Sequence, residues 1–173
     1  LRPPLVYPFA FLAAVVLVFI RPARFLPHDL GALIGIPIAG AALLLFVAST
    51  RRFKAAGTPV PGNKPTTAIV RSGPYRWSRN PIYLAFSLTH LGLAGRLNTV
   101  WALGTLGIAW GLMTWVVIPM EERYLERMFG GEYLEYKAGV GRWLYGPVPA
   151  RAGGASRSGI SLGMPSLAPR CQT

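Results

Sequence analysis

The chain has 173 residues, of which 52% are hydrophobic and only 14% charged, with a formal net charge of +12 and a single cysteine. That balance excludes an ordinary water-soluble domain, whose surface carries more charge. The lone Cys171 excludes an internal disulfide and any multi-cysteine metal site within this sequence, and no metal site is expected.

The apolar residues come in four blocks, Leu5–Ile20, Leu30–Ser49, Ile82–Gly95 and Thr99–Met120. As helices they reach roughly 21 to 33 Å, against a hydrocarbon core of about 30 Å. The blocks predict an all-α integral membrane protein with about four transmembrane helices. Residues 1–50 supply the first pair. Residues 51–145 supply a long loop, a C-terminal helical hairpin and a cytoplasmic amphipathic helix, and 146–173 form a disordered basic tail.

A large positive charge invites a nucleic-acid reading, but its distribution argues for topology instead. Arg51, Arg52, Lys54, Lys64, Arg71, Arg76 and Arg79 share one acid-free loop, and seven further Lys/Arg follow Glu121. The opposite connections hold Arg21, Arg24 and Arg96. By the positive-inside rule both termini and the middle loop are cytoplasmic, with anionic lipid rather than nucleic acid as the partner.

In the second block Pro37 predicts a kink, and Gly31, Gly35 and Gly40 predict close helix packing. The loop that follows holds Gly57, Pro59, Pro61, Gly62, Pro65, Gly73 and Pro74, which forbids a long helix. Within it Thr66–Val70 is suited to an extended path. Asn80 and Pro81 then predict a helix start, with Asn80 as the cap. Such a start presents bare N–H groups and a partial positive charge to an anion. Arg76 and Arg79 stand beside it as cations, and Tyr75, Trp77 and Tyr83 as aromatics.

Asn80, Tyr83, Ser87 and His90 fall on one face of the third helix. A polar stripe there points into the bundle or a wet cavity. Ser87 suits interhelical hydrogen bonding, and His90 suits either that or a functional role. Leu97-Asn98 predicts a tight turn into the fourth helix, where Gly104, Gly107 and Gly111 predict another close-packing face. Pro119 is expected to end the last span. The segment after it holds five of the chain's six acids and breaks at Gly130-Gly131. Glu121 and Glu122 at its start complement a helix dipole.

Ser72-Gly73-Pro74-Tyr75, Arg79-Asn80-Pro81-x-Tyr83, Glu121-Glu122 and Phe129-Gly130-x-x-Tyr133-x-x-Tyr136 together resemble the isoprenylcysteine carboxyl methyltransferases and their phospholipid methyltransferase relatives. The resemblance covers roughly Thr66 to Trp143. It implies an integral membrane enzyme that uses S-adenosyl-L-methionine on a lipophilic methyl acceptor, without a Rossmann domain. It places cofactor contacts on Thr67, Ala68, Ile69, Val70, Tyr75, Asn80, Pro81, Ile82, Tyr83 and Glu121, and Glu122 beside them can likewise accept from the cofactor's ammonium or ribose. Arg79, Arg123 and His90 are the candidate catalytic groups, with His90 the base if the acceptor is an amine. The prenylcysteine enzymes have His-Pro where this chain has Asn80-Pro81, and a substrate-side arginine where it has Val117. The alternatives are a phospholipid or other small-molecule N- or S-methyltransferase, an NADPH-dependent sterol-type reductase of related architecture, and a non-catalytic scaffold.

Overall fold

The structure, a computed structural model, describes residues 5–59 and 66–144, so the expected basic tail lies outside the described residues. Helix α1 spans Val6–Ile20, α2 His28–Ala55, α3 Pro81–Leu97, α4 Val100–Leu112, α5 Ile118–Phe129 and α6 Gly131–Gly139. A π-helical turn over Met113–Val117 joins α4 to α5, so the two run as one helix from Val100 to Phe129. The described residues contain no strand; Thr66–Val70 is irregular.

Two helices are long and apolar enough to cross a membrane, Leu30–Ala55 and Val100–Phe129. Their apolar side chains are not spent on a core. Leu33 and Leu44 on α2 are 71% and 73% exposed, and Ile108 and Trp115 on the other long helix are 66% and 74% exposed. Apolar faces of that extent are costly in water and natural in lipid. Helix α1 is apolar but shorter, and α3 has 17 residues and carries His90 and Arg96.

Pairing of α2 with α3 and of α1 with α4 builds the bundle. Helix α2 meets α3 backbone to backbone, because a Cβ added at Gly31 or Gly35 would run into the main chain at Gly95 and Gly92. Two of the three glycines expected to pack therefore do so, and Gly40 faces open space. Their partners on α3 are themselves glycines, Gly92 and Gly95. The expected packing face on α4 is absent: Gly104 and Gly107 have nothing near, and the Trp115 side chain covers Gly111. A small residue permits close approach only where another helix arrives.

At one end of the bundle Asn98 ties the two hairpin turns together. It ends α3 in the left-handed conformation, φ 49°, which asparagine tolerates better than most residues. Its side chain accepts from the Phe25 and Leu26 N–H groups at 3.2 and 3.0 Å and donates to the Leu26 carbonyl at 2.6 Å. The tight turn expected at Leu97-Asn98 is thus present.

Pro119 does not end the last span. A proline ring clashes with the carbonyl four residues back in an α-helix, but the π turn shifts the local register. The Ile118 N–H bonds the Met113 carbonyl, five residues back, and the helix continues through the proline. The amphipathic segment is accordingly the continuation of the span rather than a separate helix. It stops where expected, at Gly130 with φ 53°, and α6 follows.

Candidate functional site

The end of α2, the Thr66–Val70 loop, the start of α3, the first two turns of α5 and one face of α6 converge on one cavity, opposite the Asn98 end. Sequence dictates each approach. Pro81 sets the first turn of α3 and has no N–H to lose there. A 3₁₀ turn over Gly73–Arg76 delivers Tyr75, which is buried edge-on against Phe53 with ring centroids 5.2 Å apart. Tyr136 on α6 locks that turn by donating to the Tyr75 carbonyl at 2.8 Å.

Across the cavity, Tyr83 Oη donates to Glu121 Oε1 at 2.7 Å. Glu122 faces a cluster of cations. Arg79 Nη1 lies 2.9 Å from Oε1, Arg142 Nη2 2.8 Å and Lys137 Nζ 3.6 Å from Oε2, and Arg142 Nε donates to Oε1 at 3.1 Å. Glu122 and Arg79 are 7% and 9% exposed, so neither charge is tenable without the other. The hydrogen bonds to Glu122 raise the Arg142 guanidinium above its ordinary value. Burial pushes the phenols of Tyr75, Tyr133 and Tyr136 upward, so these rings stay neutral donors across the physiological range.

Most residues singled out in the sequence meet here. Ala68, Ile69, Val70 and Tyr75 line the cavity from the loop side, and Arg79, Asn80, Pro81, Ile82 and Tyr83 from the entrance of α3. Glu121 and Glu122 line it from α5. Thr67 does not; its N–H donates to Thr58 Oγ1 at 2.8 Å. Asn80 begins the helix but does not cap it with its side chain, which instead donates to the Arg142 carbonyl at 3.1 Å.

Two candidate catalytic groups stand apart. Arg123 is exposed on α5, away from the cavity. His90 is buried between helices, 5.4 Å edge-on from Phe11 and with Nε2 3.3 Å from Thr105 Oγ1. Three turns of α3 separate it from Asn80, so the stripe begins at the cavity and leaves it. Ser87 shares a hydrogen bond with the Tyr7 hydroxyl at 2.7 Å, the interhelical role expected of it. Val117 is buried in the core with Met113 and Tyr83.

Sequence reasoning missed Tyr124, Leu125 and the direct part of Tyr133 and Tyr136 in the cavity wall, and missed Arg142 and Lys137, which pair with Glu122 behind it. The tyrosines were visible as motif residues. Arg142 carried no local signal, because its partners lie 20 to 64 positions away.

A helical protein with long apolar spans and a charged, aromatic cavity where its helices begin and end fits a membrane-bound enzyme class rather than a soluble one. Residues 30–132, more than half of the chain, match the phospholipid methyltransferase family, and the chain belongs to it. Members of that family are S-adenosylmethionine-dependent methyltransferases. The chain is 33% identical over 85 residues to protein-S-isoprenylcysteine O-methyltransferase of Saccharomyces cerevisiae, covering 42% of this chain and 30% of that protein. It is 36% identical over 77 residues to the cobalt-zinc-cadmium resistance protein CzcN of Cupriavidus metallidurans, covering 44% of this chain and 35% of that protein. The matched stretch thus spans about a third of each of these relatives. No solved structure matches the chain.

Proposed function

We propose that the chain is an S-adenosyl-L-methionine-dependent membrane methyltransferase acting on a lipophilic acceptor, of the isoprenylcysteine carboxyl O-methyltransferase kind. Four helices, α1, α2, α3 and the α4–α5 rod, cross the bilayer in this reading. Both termini and the loop carrying the cavity lie on the cytoplasmic side, where a polar cofactor arrives, with membrane lipids around the bundle.

The donor set of the cavity suits that cofactor. Helix α3 opens without a side-chain cap, leaving N–H groups of its first turn for a carboxylate. Arg79 Nε is buried at the same place with no partner among the described residues. Glu121 accepts from an ammonium or a ribose hydroxyl, and the faces of Tyr75, Tyr83 and Tyr133 suit an adenine or a cation. Glu122 is already committed to three cations, so we assign it to holding Arg79 in place. When bound, the cofactor supplies an electrophilic methyl group. The chain's part is to hold both reactants in line and to keep water out, which Phe53, Ile69, Ile82 and Leu125 do with apolar surface.

The observation that carries the reading is the Tyr83–Glu121 contact, which joins the entrance of α3 to the acidic pair on the α4–α5 rod. A phospholipid amine is the second acceptor class, favoured by the family match over residues 30–132. An amine must lose a proton, and Glu121 in the cavity is better placed to take it than His90. Membranes containing the protein, incubated with methyl-labelled S-adenosylmethionine and then fractionated, test both. Label in a base-labile ester on a prenylated cysteine supports the first reading and label in a phospholipid headgroup the second. Binding of NADPH but not S-adenosylhomocysteine by the purified protein would overturn both in favour of a reductase, and binding of neither would leave a scaffold.

A further inference from the structure

Thr114 sits in the π turn with a carbonyl that lacks its helical donors. The Ile118 N–H, its normal α-helical partner, is taken by Met113 one residue earlier. The next candidate is residue 119, a proline with no N–H to give. A carbonyl left bare inside a protein is expensive, so a donor is expected from elsewhere. It comes from the segment after α6, where Arg142 Nη1 donates to the Thr114 carbonyl at 3.3 Å.

The same guanidinium grips Glu122 with two nitrogens, at 3.1 and 2.8 Å. The Arg142 carbonyl in turn accepts from Asn80 Nδ2 at 3.1 Å and Ser78 Oγ at 3.4 Å, and the Gly141 carbonyl accepts from the Arg79 N–H at 3.0 Å. Trp143 fastens beside it, donating from Nε1 to Thr114 Oγ1 at 3.2 Å and stacking on Trp110 with centroids 5.7 Å apart. One residue thus touches the π turn, Glu122 of the acidic pair and the approach to α3.

We propose that Arg142 is the positioning residue of this site: it satisfies the carbonyl that Pro119 leaves bare and so fixes the acidic pair against the entrance of α3. The proposal rests on the reading of the cavity as a cofactor site. Arg142 reaches Glu122 and the backbone rather than the cavity contents, and acts through Asn80 and, by way of Glu122, Arg79. A planar fork is required, because one group must serve a carboxylate and a carbonyl together; a lysine ammonium supplies the charge without that geometry.

A stability cycle and a binding measurement on the detergent-purified full chain test it. P119A returns a backbone N–H five residues beyond Thr114, the position that would serve its carbonyl in a continued π turn, so R142A should lower Tm in the P119A background by no more than about half of what it does in the native one. Strict additivity would overturn the clamp. Calorimetric titration with S-adenosylhomocysteine should show R142A at least about tenfold weaker than native protein, and R142K no better than about twofold stronger than R142A. Full recovery by R142K would reduce Arg142 to a neutralising charge and end the proposal. If R142A fails to fold, R142K in the two backgrounds carries the same cycle. If native protein does not bind S-adenosylhomocysteine, the proposed function fails, and the stability cycle then decides the clamp by itself.

Discussion

Tyr83 and Glu121, 38 positions apart in the chain, share a 2.7 Å hydrogen bond from phenol to carboxylate. The contact closes the cavity between α3 and α5, and its removal is the most direct probe of the site. Y83F keeps the ring and deletes the donor. A hydrogen bond to a charged group contributes about 1.5–3 kcal/mol, so S-adenosylhomocysteine should bind about tenfold more weakly to Y83F, by calorimetric titration. E121Q should weaken binding at least as much, since it also removes the negative charge.

His90 and Arg123 should behave differently. Neither lines the cavity, so H90A and R123A are expected to bind S-adenosylhomocysteine within about twofold of the native protein. H90A should nonetheless unfold more readily, because it removes a buried ring packed against Phe11. A loss of about 2 kcal/mol is expected, read as a lower thermal midpoint in detergent. A large loss of binding by H90A with stability intact would return His90 to the site.

The glycines of α2 and α4 offer a paired comparison. A Cβ at Gly35 meets α3 backbone, which cannot step aside, so G35A should cost about 1–3 kcal/mol of stability. Gly104 faces open space, and G104A should raise stability by about 0.5–1 kcal/mol through helix propensity alone. Thermal unfolding of the two variants in the same detergent measures both signs.

Asn98 makes three hydrogen bonds to the turn between α1 and α2. N98A removes them and strains a left-handed backbone, at a cost of about 2–4 kcal/mol. N98G keeps the backbone at ease and should recover about 1 kcal/mol of that loss. Because the turn lies at the far end of the bundle from the cavity, both variants should retain cofactor affinity wherever they remain folded.

What could be read from the sequence was local. Pro81 sets where α3 begins, Gly130 sets where α5 stops, and Asn98 marks the hairpin, each through its own backbone chemistry. The pairing of Tyr83 with Glu121 came from a motif resemblance, since no spacing rule joins residues so far apart. Other features depended on what arrives from elsewhere in the chain. Glycines at helical spacing look alike on α2 and α4, but only α2 has a helix pressed against it. Pro119 reads as a terminator until the π turn is seen to absorb it. Asn80 reads as a cap until the Arg142 carbonyl is found competing for its side chain.

The unbroken rod from Val100 to Phe129 has a mechanical consequence. Glu121 lies about 30 Å along it at 1.5 Å per residue, so leaning the buried portion by about 5° displaces the carboxylate by roughly 3 Å. That is the length of the Tyr83 contact itself. Bilayer thickness, which sets how far such a rod leans, thereby becomes a dial on the geometry of the cavity, and short- and long-chain lipids should give this protein different Tyr83–Glu121 separations.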